Sequence, residues 1–194
     1  ETQSSELGKL ISLEMGKVFA EAKAEVEKCA TVCRYYAQYT EDILTPKVIK
    51  PNHAGTVYYQ PTGAVFAIMP WNFPFWQVFR YASAALMAGN VTVLKHAPNV
   101  TGCSLAIEKL FLEVGFPESV FQSLIIDIDL VEHVIAADIV QGITLTGSER
   151  AGASVGALAG KYLKKSVLEL GGSDPVLVLD DADVEMAAQV SVAS

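Results

Sequence analysis

The sequence is poor in the residues that build metal centres and disulfide frameworks. It has three cysteines and three histidines, and His53, His96 and His133 have no metal-ligand spacing with the cysteines or with one another. A small, odd number of thiols fits a reducing compartment. We therefore expect a cytoplasmic protein without a metal ion.

Charge and hydropathy exclude further classes of protein. Acidic residues number 22 against 14 basic ones, and the formal net charge of −8 argues against binding to nucleic acid or to an anionic membrane. The longest apolar stretch, residues 63–76, is interrupted by Asn72 and two prolines, and no secretory signal pattern opens the chain. We expect neither a nucleic-acid partner nor a membrane span.

The usual glycine-rich nucleotide fingerprints are also missing. There is no Gly-x-Gly-x-x-Gly, and Gly142 and Gly147 have a phosphate-loop spacing but lack the Lys-Ser/Thr that must follow. What remains is Gly147-Ser148 at the start of a predicted helix. Free N–H groups and the helix dipole there suit a phosphate, although an ordinary serine N-cap explains the same residues.

The apolar periodicity predicts two N-terminal helices followed by an α/β unit. Residues 1–55 form a helical lead-in that ends in a loop over 42–55, and residues 56–194 alternate strands with helices. Such alternation predicts a doubly wound, mostly parallel sheet of the Rossmann type. The predicted strands are 56–60, 63–68, 91–95, 120–126, 142–146, 165–169 and 176–179; the predicted helices are 7–15, 19–39, 77–88, 100–114, 130–137, 148–159 and 184–192.

The most informative segment is PTGAVFAIMPWNFP, residues 61–74. A predicted strand runs into a turn in which two prolines restrict the backbone and Asn72 is the polar side chain. A rigidly held amide can donate hydrogen bonds to an oxygen that gains negative charge during a reaction. Asparagine is also common in turns for local reasons, so the turn alone leaves both interpretations open.

Three charged residues lie at or near the ends of predicted strands and helices. Lys95 and Glu169 each end a strand, where doubly wound sheets place ligands, and Arg80 lies on the helix after the rigid turn. A carboxylate at the position of Glu169 is either desolvated or free to swing, and both suit a general base. Solvated surface positions and surface ion pairs are the alternatives for all three.

Four ordered motifs together resemble the aldehyde dehydrogenase superfamily. They are Pro70-Trp71-Asn72-Phe73-Pro74, Leu94-Lys95, Thr146-Gly147-Ser148 and Leu168-Glu169-Leu170-Gly171-Gly172. The resemblance covers essentially the whole chain. The stretch Leu94-Lys95-His96-Ala97-Pro98-Asn99, with Arg80 and the segment 171–175, is most similar to the bacterial NAD(P)-dependent succinate-semialdehyde dehydrogenases.

The resemblance implies a role for each candidate residue. Asn72 would stabilise the oxyanion and Glu169 would activate the water that hydrolyses a thioester. Arg80 would bind the distal carboxylate of succinate semialdehyde. Pro98 stands where many members carry a ribose-binding Glu, so NADP should be tolerated beside NAD. The implied cofactor contacts are Met69, Trp71, Lys95, His96, Ala97, Pro98, Gly147, Ser148 and Leu170.

The family nucleophile is the element that this sequence lacks. It is a cysteine in a Gly-Gln-x-Cys context, and Cys29, Cys33 and Cys103 have no such context. We therefore expect an incomplete dehydrogenase whose parent oxidises an aldehyde and forms a homo-oligomer. A non-catalytic NAD(P)-binding or structural fragment is one alternative. A CoA-acylating or phosphate-reducing relative is the other, and Glu169 argues against it.

Overall fold

Two helices open the computed structural model, which describes residues 2–50 and 53–193. The first, α1 (Ser4–Met15), ends at Gly16, whose φ of 79° lies in the left-handed region that glycine adopts without strain. The second, α2 (Phe19–Leu44), extends beyond the predicted end at residue 39. Buried residues of α2 such as Ala22, Val26 and Cys29 recur at helical spacing, so this face packs on the core.

A short antiparallel hairpin corrects the predicted loop over 42–55. Strand β1 (Lys47–Lys50) pairs with β2 (His53–Val57), and the register shifts between Val48 and Lys50. The predicted strand 56–60 therefore begins and ends later in the sequence than the observed strand β2. The loop prediction rested on two prolines, Pro46 and Pro51, but Pro46 precedes the strand and Pro51 lies outside the described residues.

Five parallel strands form the central sheet, in the order β5-β4-β3-β6-β7. Strand β3 is central, and the chain adds two strands on one side before it returns to add two on the other. This arrangement creates a switch point beside β3, where such sheets bind ligands. The strands are β3 (Ala64–Met69), β4 (Val91–His96), β5 (Phe121–Ser123), β6 (Val140–Thr146) and β7 (Lys165–Glu169).

Helices cover both faces of the sheet, so the doubly wound prediction is confirmed. The remaining helices are α3 (Trp76–Met87), α4 (Thr101–Glu113), α5 (Val131–Ala136), α6 (Glu149–Lys161) and α7 (Val184–Ala193). Side chains of α1 to α4 form one core with Leu94 and Phe121, and side chains of α5 and α6 form a second core with Phe66, Ile143 and Leu145.

Two strand predictions near the sheet edges were wrong. Residues 176–179 form no strand, and Val176, Leu177, Val178 and Leu179 are exposed. An apolar run becomes a strand only beside a partner strand, and β7 pairs only with β6 among the described residues. Strand β5 is also shorter than the predicted 120–126. No helix in the described ranges is long and apolar enough to cross a bilayer.

Candidate active site

The carboxyl ends of four parallel strands bring most of the candidate residues to one edge of the sheet. In the register of the sheet, Ile68 of β3 lies beside Lys95 of β4 and Leu145 of β6, and Thr146 lies beside Glu169 of β7. The turn that carries Asn72 follows β3, and Gly147-Ser148 follow β6. The edge at the switch point is therefore the candidate site.

The turn after β3 exposes its polar side chain. Trp71 is 50% exposed, and Asn72 is exposed without a hydrogen bond to any other described residue. Pro74 and Phe75 are buried, so the far side of the turn is anchored in the core. The Asn72 amide is thus presented by a fixed turn and remains available to a ligand. Its proposed oxyanion role stays a prediction.

His96 fixes the same turn from the neighbouring strand. Its Nδ1 accepts a hydrogen bond from the backbone N–H of Ala97 at 2.9 Å, so Nε2 carries the proton that it donates to the Pro74 carbonyl at 2.8 Å. Burial lowers the pKa of His96, which agrees with a neutral ring. Both ring nitrogens are thereby hydrogen-bonded within the protein and are not free to bind a cofactor.

The side chain of Met69, like the ring of His96, is enclosed by the protein. Its side chain is 3% exposed and belongs to the core beneath α3. The Met69 side chain is therefore not accessible to a cofactor, whereas the Trp71 ring is half exposed, and both predicted cofactor contacts stay predictions.

Lys95 lines a cavity of about 480 Å³. The lysine is only 8% exposed and forms no ion pair with a described residue. Ser148 and Arg150 line the same cavity, with apolar side chains such as Ile68 and Leu145. A buried lysine is costly without a negative partner, so this arrangement favours binding of a phosphorylated molecule.

Ser148 caps helix α6, as the simpler interpretation of the sequence held. Its hydroxyl accepts a hydrogen bond from the N–H of Ala151 at 3.3 Å. This capping is compatible with the predicted phosphate contact, because the first N–H groups of a helix have no partner inside it. The structure places the start of α6 and Lys95 in one cavity, whereas Ala97 and Pro98 line a separate cavity of about 240 Å³.

Glu169 and Arg80 face a third cavity of about 590 Å³. Arg80 Nη2 lies 3.6 Å from Glu169 Oε2, and the two side chains are 41% and 55% exposed. Glu169 is therefore not desolvated within the described chain. The solvent-exposed ion pair that the sequence left open for Arg80 and Glu169 is present, and the general-base and substrate roles of the two residues stay predictions. Two predicted residues with opposite charges thus occupy one groove.

Leu170, the residue after Glu169, packs on a glycine of helix α6. A β-carbon on Gly152 would overlap its side chain, and one on Gly156 would touch Leu168 at 3.4 Å. Gly152 and Gly156 therefore let helix α6 approach Leu168 and Leu170 closely. Leu170 is 43% exposed, which leaves part of it for a ligand.

The three cysteines are not candidates for the nucleophile. Burial raises the pKa of both Cys29 and Cys103, and Cys33 lies 3.4 Å from the Ser83 hydroxyl. No group of histidines, cysteines or carboxylates in the described part of the chain could hold a metal ion. The side chain of His53 lies outside that part.

Comparison with known proteins decides the family. The model of the aldehyde dehydrogenase family matches residues 1–194. The chain belongs to this family. It is 52% identical over 193 residues to a probable succinate-semialdehyde dehydrogenase [NADP(+)] of Synechocystis sp., with 99% of this chain and 42% of the relative covered. The succinate semialdehyde dehydrogenase [NAD(P)+] Sad of Escherichia coli is 46% identical, with 98% of this chain and 42% of the relative covered.

Solved structures agree with the match. The succinic semialdehyde dehydrogenase of Streptococcus pyogenes, in complex with NADP+, superposes with a TM-score of 0.92 at 39% identity. That alignment covers 97% of this chain and 42% of the other. This aldehyde dehydrogenase chain therefore spans less than half the length of the relatives that it matches.

Sequence reasoning missed two carboxylates that cap the helices after β3 and β4, and one of them, Glu25, holds the end of the turn that carries Asn72. Glu25 accepts hydrogen bonds from Phe75 and Trp76 at the start of α3, and Glu14 does the same at the start of α4. One signal was present: Glu25 falls beside Val26 within the apolar stripe of α2, where a carboxylate needs a partner. Its partners lie about 50 residues away, so the sequence could not name them.

Proposed function

We propose that this chain is the cofactor-binding part of an NAD(P)-dependent aldehyde dehydrogenase that oxidises succinate semialdehyde to succinate. The observation that most supports this proposal is that Lys95 is nearly buried, has no ionic partner among the described residues and shares a cavity with the start of α6. The printed names of the Synechocystis and E. coli relatives, and the NADP+ complex of the S. pyogenes enzyme, support both the substrate and the cofactor. The nucleophilic cysteine would come from the remainder of the complete protein.

Each residue would act through an ordinary property. Lys95 and the first N–H groups of α6 would hold the ribose and phosphates of the cofactor, which accepts a hydride when bound. Asn72 would donate its N–H groups to the aldehyde oxygen as negative charge develops there. Glu169, once it leaves Arg80, would take a proton from the water that releases the acid.

Both nicotinamide cofactors fit the proposal. A carboxylate beside the adenosine ribose would repel the additional phosphate of NADP, and position 98 holds proline instead. The complete protein would act in the cytoplasm, where its free thiols stay reduced, and as a homo-oligomer. The exposed apolar side chains of the hairpin region, Val48, Ile49 and Tyr58, support assembly with further protein surface.

Replacement of Lys95 tests cofactor binding. Lys95→Met keeps the apolar stem but removes the charge, and we expect the dissociation constants of NADP+ and NAD+ in the complete protein to rise about tenfold or more, because charge-assisted bonds contribute roughly 1.5–3 kcal/mol. Calorimetric titration measures both. Lys109→Met is the matched control, since that lysine is 75% exposed on α4 and its loss should change neither constant. Unchanged affinity in Lys95→Met would rule out the proposed cofactor site.

Replacement of Arg80 tests the substrate. In the complete protein, Arg80→Ala should lower kcat/KM for succinate semialdehyde by about 10–100-fold, the value of one or two charge-assisted hydrogen bonds. Butanal has the same reacting group but no carboxylate, so its kcat/KM should fall far less. An equal loss for the two aldehydes would mean that Arg80 acts through its partner Glu169 and not through the substrate.

A further inference from the structure

Two glutamates from the N-terminal helices cap the helices that follow β3 and β4. Glu25 Oε1 of α2 accepts hydrogen bonds from the N–H groups of Phe75 and Trp76 at 2.9 and 3.0 Å. Glu14 of α1 accepts from Gly102 and Cys103 at 2.7 and 2.8 Å. Helix N-termini have unpaired N–H groups and a positive dipole end, so a carboxylate satisfies both. The two caps differ in the residues that lie next to them.

The cap by Glu25 encloses the turn that carries Asn72. Its side chain is 2% exposed, and its second oxygen pairs with the ammonium of Lys17, whose side chain is 8% exposed. That ammonium lies 3.6 Å from the centroid of the Phe73 ring. The residue directly after Asn72 and the first residues of α3 are thus tied to one buried ion pair.

A third contact with this turn comes from strand β4 of the sheet. The His96 ring holds the carbonyl of Pro74, between the two residues bound by Lys17 and Glu25. Four consecutive residues after Asn72, namely 73–76, are therefore each fixed by a side chain from α2, the segment before it or β4. Asn72 directly precedes this anchored segment, and its side chain is exposed to solvent.

Helix stability alone does not require this arrangement. Helix α6 is capped by its own Ser148, whereas α3 has no cap from its own side chains. A buried ion pair contributes little net stability, because desolvation offsets the attraction. A cap supplied by another helix does what a local serine cannot, since it fixes the turn relative to the rest of the fold.

We propose that Glu25, paired with Lys17, is a positioning residue that orients Asn72 for catalysis. The proposal rests on the proposed function, in which Asn72 stabilises an oxyanion. A donor contributes fully only if it is already aimed at the developing charge, and a displacement of about 1 Å can cost about 100-fold in rate. Glu25 acts on the reaction through Asn72 and touches neither substrate nor cofactor.

The test is a double-mutant cycle in the complete protein. Glu25→Gln keeps an acceptor for α3 but sets an amide against the Lys17 ammonium, and we expect kcat for succinate semialdehyde to fall about 10–100-fold. The dissociation constant of NADP+ should stay within about twofold, because Lys95 and α6 are untouched. In the Asn72→Ala background, Glu25→Gln should have almost no further effect on kcat.

Glu14→Gln is the control at the other glutamate cap. Both Glu14 oxygens accept hydrogen bonds from α4, so the substitution weakens a cap at a helix whose turn does not carry Asn72. It should lower the melting temperature without lowering kcat. Lys17→Met provides a second variant if Glu25→Gln fails to fold, because the hydrogen bonds of the cap remain and only the ion pair and the Phe73 contact are lost. Its fall in kcat should likewise disappear in the Asn72→Ala background.

Other outcomes overturn the proposal. Additive losses from Glu25→Gln and Asn72→Ala, or equal losses of kcat from Glu25→Gln and Glu14→Gln, would make Glu25 an ordinary structural cap. If the wild-type protein binds NADP+ but the Glu25 variant keeps full kcat, the positioning role fails while the proposed function stands. A wild-type protein that oxidises no aldehyde refutes both.

Discussion

Replacement of Glu169 by Gln in the complete protein should strongly slow the reaction after the first turnover. Glutamine keeps the shape of the side chain but cannot take a proton from water, so the acyl group stays on the nucleophile. General base catalysis contributes roughly 10²–10⁴-fold, and steady-state kcat should fall by that factor. Rapid mixing with NADP+ and succinate semialdehyde should still show a burst of reduced cofactor equal to the enzyme concentration.

The exposure of Glu169 makes this result informative. The carboxylate is 55% exposed and lies 3.6 Å from Arg80, so the substitution disturbs no buried contact within the described chain. Glu118→Gln, at an exposed glutamate in the turn before β5, is the control and should keep full steady-state kcat. An undiminished steady-state rate in Glu169→Gln would show that another group activates the water.

Replacement of Asn72 should act at the earlier step. Asn72→Ala removes the N–H donor and is expected to lower kcat by about 10²–10³-fold, as loss of one oxyanion donor does in other enzymes. The burst should slow together with the steady state, which separates this variant from Glu169→Gln. NADP+ affinity should not change, because Asn72 lies on the turn after β3 and the cofactor cavity is lined by Lys95 and Ser148.

The isosteric variant Asn72→Asp sharpens the interpretation. A carboxylate keeps the size of the side chain but replaces the donor by a negative charge, so its loss of kcat should equal or exceed that of Asn72→Ala. A variant Asn72→Asp with nearly normal kcat would show that the residue shapes the turn and does not stabilise charge. In that case the turn interpretation of the sequence would be the correct one.

The sequence predicted the parts of the fold that local patterns determine. The strands β3, β4, β6 and β7 were placed within one or two residues, because apolar β-rich runs there are bounded by glycine, proline and polar turns. The predictions for residues 47–50 and 176–179 were wrong for a physical reason. Residues 176–179 are apolar throughout but have no partner strand among the described residues, whereas residues 47–50 carry two lysines and still form a strand because they pair with β2. Neither segment's own sequence indicates whether it has a partner.

The candidate site could likewise be predicted only in part. Motifs next to strand ends identified Asn72, Lys95, Ser148 and Glu169, since the topology of a parallel sheet brings such positions together. The sequence could not predict the contacts that support the turn. Glu25 and Lys17 are distant from the turn in sequence, and His96 lies at the end of the next strand, β4. His96 also shows that the ring of a residue in a predicted cofactor motif can hold the turn.

Aldehyde oxidation by the complete protein tests the central claim most directly. Succinate semialdehyde and NADP+ would be supplied together, and formation of NADPH would be followed by absorbance while succinate is measured by chromatography. We predict equal amounts of NADPH and succinate, with no need for CoA or phosphate. Absence of NADPH with every aldehyde offered, or formation of product only with CoA, would contradict the assignment of this chain to a hydrolytic dehydrogenase.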